Sequence, residues 1–455
     1  MPVSSARAAA FEILMRIETT DAYASELLHS SRFDSLSLAD HGLVTELAMG
    51  VLRWRSVLDD RIAEHLTQPL SKLDVEVLTA LRIGAYQLLF LTRIPKHAAV
   101  NESVELVKQA RKRSAAGMVN AVLRKIAKDG SELPQLYQNR GEVGQPSKKS
   151  FDAVNFPQLQ VAAHSEWLVK RWTETYGADV AKQICAYDQV APGTVIRLND
   201  ARLIEELKRE GITLQGGKIL AKAFVVDSRD ISKTKTFRER RLIIQDEASQ
   251  LVALLVGKGN TMLDCCAAPG GKTRIIAEQN PESNVIAMEL HPHRAALIKK
   301  LVPLHNVQVL VGDARTMPVA KQFDRVLVDA PCSGTGTLAR NPEIKWRLKP
   351  EDLCRLQDYQ LEILSAAISC VAPRGRIVYS TCSLEPEENS EVIEKALALN
   401  SSFRVLDCRG ELLRLKQDGE LAIDDLDSVL CGRYLRTIPG VHRCDGFFAA
   451  ILEKN

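Results

Sequence analysis

The sequence predicts a multidomain protein: an all-α bundle at the N-terminus, a small α+β module, and a C-terminal α/β domain on a mostly parallel, doubly wound sheet. Three observations carry this. A chain of 455 residues is too long for one ordinary core and calls for two or three domains. Residues 3–128 show helical spacing and no strand pattern. From Gln245 onward, strands alternate with helices, the pattern of a parallel sheet with crossover helices. The expected boundaries are 1–130 for the bundle, 131–158 for a linker, 159–244 for the module and 245–455 for the α/β domain.

Apolar residues at 45% and charged residues at 26% are the proportions of a globular chain that buries a core. A formal charge of +3 is too small to dictate a partner, so the distribution of charge matters more than its sum. The first residues carry Arg7, Glu12 and Arg16 and lack the apolar stretch of a signal peptide. No apolar run approaches the ~18 residues of a membrane span. The ten cysteines form no framework and no C-x-x-C pair, which points to reduced thiols in a cytoplasmic protein and away from a metal site.

In the bundle, Leu78, Leu81, Ala85 and Leu88 recur on one helical face. Pro95 ends that pattern, and two more helices fit 102–112 and 114–128. These last two carry a one-sided charge: Lys108, Arg111, Lys112, Arg113, Arg124, Lys125 and Lys128, with no acid between them. Such a run fits a solvated face or a footprint for a phosphate backbone. The stretch 129–157 mixes Pro and Gly with polar residues and has no apolar period, as a linker does. Helices then fit 165–176 and 179–187, a strand 194–198, a helix 202–210, and a β-like stretch to about Val226.

The C-terminal domain is organised around 263–273, Leu-Asp-Cys-Cys-Ala-Ala-Pro-Gly-Gly-Lys-Thr. A strand ends in Asp264, a tight small-residue loop follows, and a helix begins near Lys272. That arrangement aims backbone N–H groups at a polar or anionic ligand. It is not a P-loop, because Cys266 stands where the first glycine is required, and it is not G-x-G-x-x-G. Strands fit 261–264, 285–289, 307–311, 325–329, 375–380 and 447–452. Ligands bind beyond the carboxyl ends of such strands, and those ends hold Asp264, Glu289, Asp313, Asp329 and Cys382. Glu289, 18 positions after Gly271, suits the ribose hydroxyls of an adenosine cofactor, and Asp313 suits the adenine edge.

Two cysteines stand at neighbouring strand ends. Cys332 lies in Asp329-Ala330-Pro331-Cys332-Ser333-Gly334-Thr335-Gly336 and Cys382 in Ser380-Thr381-Cys382-Ser383. Cys185, Cys354 and Cys370 sit in helical patterns and read as small buried apolar side chains. Cys332 and Cys382 sit in Ser/Thr/Gly loops, where a thiolate would be a nucleophile. A helix is expected to start near Pro386, just after Cys382. Two other readings remain at this level: an RNA-binding or antitermination-like factor that keeps the sheet as scaffold, and a P-loop-like ATPase.

These strings resemble the RNA cytosine-C5 methyltransferases. The resemblance covers 266–273, the Asp329–Gly336 string with its continuation Ile344-Lys345-Trp346, the Tyr379-Ser380-Thr381-Cys382-Ser383 string, and Asp445-Gly446-Phe447-Phe448. The helical N-terminus is similar to the NusB-type RNA-binding domain, which narrows the likeness to the RsmB (Sun or Fmu) branch acting on 16S rRNA. The resemblance implies a NusB-like bundle and a Rossmann-like class I methyltransferase domain. It assigns S-adenosyl-L-methionine to Cys266, Ala267, Ala268, Pro269, Gly270, Gly271, Lys272, Glu289, Asp313 and Asp329. It makes Cys382 the nucleophile, gives Cys332 a part in product release, and places Asp329 in catalysis at the cytosine ring. Its implied partner is 16S rRNA, free or in an early small-subunit particle, with no membrane and a monomeric enzyme. Glu289 replaces the family's usual aspartate, Asn341 stands where histidine is common, and Cys265 is an additional thiol read as structural.

Overall fold

The computed structural model describes residues 3–129, 156–227, 230–319 and 322–455; the expected linker, apart from 156–158, lies outside them. Two compact units are present. One comprises Met1–Ala191 with Leu338–Arg347, the other Pro192–Thr337 with Leu348–Asn455. The division falls inside 159–244, the stretch read as one module. Its helices bury Leu168 and Trp172 in the first unit, whereas its strands bury Ile196 and Val226 in a core of the second.

The first unit is helical, with Ser5–Thr19, Leu38–Arg53, Arg55–Ala63, Val75–Phe90, Lys96–Gln109 and Ala116–Lys128 in succession. Val75–Phe90 is buried on nearly all sides, Thr79, Arg82 and Gln87 included, as befits a helix surrounded by others. Arg82 answers its own burial by donating Nε to Asp59 at 2.7 Å and Nη1 to Glu18 at 3.1 Å. Gly84 allows Ala116–Lys128 to approach: a Cβ there would lie 2.5 Å from Leu123 Cδ1. Ala116–Lys128 turns Val119, Val122, Leu123 and Ile126 inward and leaves Arg124, Lys125 and Lys128 exposed. Within the basic run, Lys108 pairs with Glu105 at 2.7 Å and Lys112 with Asp74 at 3.1 Å. Glu166–Tyr176 and Ala178–Asp188 complete the unit.

Leu338–Arg347 is anchored in this unit through helix-end carbonyls. Lys345 Nζ donates to Arg53 O at 2.9 Å and Ala163 O at 2.8 Å, and Trp346 Nε1 to Leu52 O at 2.7 Å. Arg347 donates to Ile17 O at 2.8 Å and Ala22 O at 2.7 Å. Carbonyls at the last turn of a helix have no intrahelical donor, and cationic donors there also complement the helix dipole.

The second unit holds two sheets. The smaller has strands β1 (Thr194–Arg197), β2 (Thr213–Gly216), β3 (Ala223–Asp227) and β4 (Ile243–Ile244), in the order β2-β3-β1-β4. The larger contains β5 (Thr261–Asp264), β6 (Asn284–Glu289), β7 (Val307–Val311), β8 (Phe323–Asp329), β9 (Val371–Thr381), β10 (Phe403–Leu406), β11 (Leu430–Cys431), β12 (Tyr434–Arg436) and β13 (Phe448–Lys454). Its order is β11-β12-β13-β9-β8-β5-β6-β7, with β10 against β13. β7, β6, β5, β8 and β9 are parallel; β10, β11, β12 and β13 are antiparallel. The sheet is therefore mixed, and its short strands β10 to β12 are additions to the sequence reading. The chain runs β5, β6, β7 to one side and then crosses to β8 on the other, so the ends of β5 and β8 form the switch point where ligands bind.

Helix Pro350–Ser369 turns Leu353, Gln357, Gln360 and Leu364 inward. Cys354, one position off that face, is exposed, contrary to its expected burial; Cys185 and Cys370 are buried. No helix among the described residues is long and apolar enough to cross a membrane.

Candidate active site

The loop after β5 is built by backbone pairing with its neighbours. Cys265 N donates to Leu327 O and Ala267 N to Met288 O, each at 2.9 Å. The chain then turns through Gly270, whose φ of +107° is open to glycine and strained for other residues, and enters helix Gly271–Gln279. A Cβ on Gly271 would meet Gln245 Oε1 at 2.9 Å. Thr273 Oγ1 donates to Asp264 Oδ2 at 2.6 Å, tying the helix start to the strand end.

This loop borders a cavity of about 200 Å³ that joins Asp264, Cys266, Ala267, Ala268, Pro269, Gly271, Lys272 and Asp329. Ile244, Gln245 and Ser249 also line it; sequence reasoning did not single them out. Glu289 and Asp313 are not among its lining residues. Glu289 ends β6, buried, and accepts from His291 N at 2.9 Å, while Gly312 N donates to Glu289 O at 3.1 Å. Asp313 lies beyond β7 and is held by the Arg315 guanidinium at 2.7 Å, which keeps its carboxyl below the usual range. Arg315 also lies over the Tyr359 ring, 5.1 Å from its centroid.

The electrostatics favour a cationic, donor-rich ligand. Asp264 Oδ1 and Gln245 Oε1 are buried without a hydrogen-bond partner, and burial pushes the Asp264 carboxyl up to about 7. S-adenosylmethionine carries an ammonium and a sulfonium, and unpaired acceptors beside a carboxylate-rich strand edge fit it. Lys272 is the cation already present. Burial pulls it down, but the Asp329 carboxylate at 2.7 Å outweighs this and leaves it raised. Its Nζ also lies 4.9 Å from the Phe447 ring centroid. Ser380 Oγ donates to the other Asp329 oxygen at 2.7 Å, as the pairing of Asp329 with Ser380 across β8 and β9 allows.

The same strand pair brings the two cysteines together. Cys332 and Cys382 are half-buried with their sulfurs 3.3 Å apart. The hydrogen bond with Cys382, then burial, pushes the Cys332 thiol well above its ordinary range. Either sulfur can be the donor in this contact. Gly336 N donates to Cys382 O at 2.9 Å, and Gly446 N to Gly336 O at 2.7 Å. This three-chain contact leaves no room for a side chain: a Cβ on Gly336 would lie 2.2 Å from Gly446 O. The Cys265 and Cys266 thiols are pushed well above their ordinary range by burial. The helix expected near Pro386 is a short 3₁₀ turn, Pro386–Glu388, with the α-helix starting at Ser390. Asn389 breaks the two apart with φ −113° and ψ −104°, so no helix N-terminus adjoins Cys382.

The family model for 16S rRNA methyltransferase RsmB/F matches residues 251–453. The NusB family model matches 4–128, and the model for the RsmF/B-like, ferredoxin-like domain matches 164–231. The chain is 34% identical over 474 residues to the "Probable ribosomal RNA small subunit methyltransferase B" of Bacillus subtilis (strain 168), with both chains covered completely. It is 33% identical over 451 residues to the ribosomal RNA small subunit methyltransferase B of Pseudomonas syringae pv. tomato, covering 93% of this chain and 91% of the relative. Among solved structures, PH0851 matches with a TM-score of 0.77 at 22% identity, over all of both chains. A methyltransferase homolog protein from Pyrococcus horikoshii matches with a TM-score of 0.54 at 24% identity, over 66% of this chain and 98% of that one. At these identities the likeness to the solved structures is one of fold.

Proposed function

The chain belongs to the 16S rRNA methyltransferase RsmB/F family, a family dependent on S-adenosylmethionine, and we propose that it methylates C5 of a cytosine in 16S rRNA through a covalent adduct on Cys382. The observation that carries this reading is the pair of thiols 3.3 Å apart at the ends of β8 and β9.

When bound, S-adenosylmethionine supplies an electrophilic methyl group. The residues proposed to hold it are Cys266 to Lys272, Glu289, Asp313 and Asp329. Cytosine C5 is a poor nucleophile, and the Cys382 thiolate corrects this by forming a bond to C6, which makes C5 enamine-like. Addition at C6 drives electron density onto N3, which takes up a proton from solvent, and Asp329 is assigned to accept a hydrogen bond from that N3–H; Lys272 and Ser380, one on each oxygen, fix its carboxylate. Once C5 is methylated, water acting as base takes the C5 proton, the C5–H pair re-forms C5=C6, and the C6–S bond breaks, returning its electron pair to Cys382; the N3 proton returns to solvent. The Cys332 thiol, 3.3 Å from that sulfur, is placed to donate to the departing thiolate and stabilise it. The target base has to leave its stack to be reached, so a single-stranded or loosely paired site in the rRNA is the substrate. The enzyme acts as a monomer in the cytoplasm, on free rRNA or an early particle.

The test is transfer from labelled S-adenosylmethionine to unmodified 16S rRNA by wild type, Cys382→Ala and Cys332→Ala, with adducts resolved on denaturing gels and the modified base identified by nucleoside analysis. Loss of transfer and adduct in Cys382→Ala, with a persistent adduct in Cys332→Ala, is the expected result. Full activity in Cys382→Ala overturns the assignment, and modification of another base or atom overturns the C5 reading.

A further inference from the structure

Resting on that reading of the two cysteines, we propose that Glu388 is a positioning residue whose buried carboxylate clasps both cysteine loops and sets the 3.3 Å approach of the sulfurs. Glu388 is fully buried at the end of the turn Pro386–Glu388. Its Oε1 accepts from Ser333 N at 2.8 Å and from Gln360 Nε2 at 2.9 Å. Its Oε2 accepts from Ser383 Oγ at 2.5 Å and from Ser333 Oγ. Ser333 follows Cys332 and Ser383 follows Cys382, so one carboxylate holds the residue after each thiol.

The residues before the thiols, Pro331 and Thr381, are held by Gln360 of helix Pro350–Ser369 and by Asn389, which follows the turn. Gln360 Nε2 also donates to Pro331 O at 2.9 Å. Asn389 donates Nδ2 to Ser383 O at 2.9 Å and accepts from Thr381 Oγ1 at 2.5 Å. Tyr379 Oη, from β9, donates to Glu388 O at 2.6 Å. A buried carboxylate is costly, and an apolar side chain would fill the same space. A carboxylate is suited where four donors, three on the two cysteine loops and one on helix Pro350–Ser369, must converge, because it offers about four acceptor positions on two atoms.

The experiment compares Glu388→Ala and Glu388→Gln with wild type in the full-length protein. Four quantities are read: melting temperature, KM for S-adenosylmethionine, kcat on 16S rRNA, and the rate of Cys332–Cys382 disulfide formation under diamide without RNA, mapped by peptide mass spectrometry. Disulfide formation reports the sulfur separation directly. Displacing the thiols by a fraction of an ångström is expected to lower kcat about 30-fold in Glu388→Ala, with KM for the cofactor unchanged and disulfide formation slowed about 10-fold. Glu388→Gln keeps Oε1 for Ser333 N and Gln360 and turns an NH₂ toward the serine hydroxyls, so it recovers about fivefold or more of both losses. If Glu388→Ala does not fold, Ser383→Ala, which cuts the link to the Cys382 loop alone, is read for the same two losses at smaller size. A folded Glu388→Ala with wild-type kcat and disulfide rate overturns the proposal. So does a loss of kcat that tracks melting temperature while disulfide formation is unmoved. Full activity in Cys382→Ala instead removes the reading of the thiols, independently of Glu388.

Discussion

Asp264 ends β5 fully buried, with burial pushing its carboxyl from an ordinary 3.8 up to about 7. Between those two values the folded protein holds a proton that the unfolded chain has released. The stability this contributes is complete below the lower value and is lost as pH rises through the upper one. At about 1.4 kcal/mol per pH unit, the gap is worth about 4 kcal/mol. Asp264→Asn stays neutral at every pH and can still accept from Thr273 Oγ1. Its stability relative to wild type should therefore rise by up to about 4 kcal/mol between pH 4 and pH 8. The probe has to belong to the second unit. All four tryptophans, Trp54, Trp167, Trp172 and Trp346, lie in the first unit, so tryptophan fluorescence would report the wrong transition. Amide hydrogen exchange of peptides spanning β5 and β8 in denaturant, without cofactor, reads the right one. Parallel pH dependence in the two proteins would refute the argument, because it would mean that Asp264 is ionised in the folded state at pH 5.

Gly336→Ala puts a Cβ against Gly446 O at 2.2 Å; forcing the two chains apart should cost about 2 kcal/mol or more and abolish methyl transfer, read by melting temperature and by label incorporation. Lys272→Met removes the ammonium from Asp329 and should lower kcat about 10²-fold, with Lys272→Arg partly active in the same assay. Glu289→Gln weakens a proposed acceptor for the ribose and should raise the cofactor Kd about 10-fold by calorimetry while leaving the melting temperature of the free protein nearly unchanged. For RNA binding, Arg111, Arg113 and Arg124 are the better targets for charge reversal, since Lys108 and Lys112 already have carboxylate partners. Reversing all three should weaken binding to 16S rRNA and reduce the slope of log K against log salt by about 3; an unchanged slope would make the run an ordinary solvated face.

What was legible in the sequence depended on local signal. β5, β6 and β8 are short runs with most of their apolar residues buried, β7 is a half-exposed, valine-rich edge strand, and acids stand at or just beyond their ends, so strands and strand-end residues could be read together. β10, β11 and β12 are two to four residues long, too short for a period; the one cue was Gly432, whose φ of +60° makes the turn between Cys431 and Tyr434. Gln245 and Ser249 come to the cavity from a segment before β5 and carry no cue of their own. The destination of Ile344-Lys345-Trp346 was not legible either. Lys345 and Trp346 donate to carbonyls 182 to 294 positions away in the chain, and hydrogen bonds between distant segments leave no period in the sequence. The same holds for Glu388: a run of Pro-Glu-Glu reads as a charged helix start, and only the fold shows its third residue turned inward onto two serines.

Under the proposed mechanism, the closeness of the two thiols bears on how they divide the work. Two thiolates 3.3 Å apart would repel strongly in a partly desolvated site, so the pair gives up its first proton far more readily than its second. The hydrogen bond with Cys382, then burial, push the Cys332 thiol well above its ordinary range, which favours leaving the second proton there. In the proposed mechanism one sulfur forms the bond to carbon, and the other supplies a proton against it when that bond breaks. Replacing Cys332 by Ser shortens the reach of the donor and raises its pKa further, yet keeps an O–H directed at Cys382. Release should then be slowed less than in Cys332→Ala, with adduct formation intact in both; equal accumulation in the two variants would mean that the proton at that position is not what releases the product.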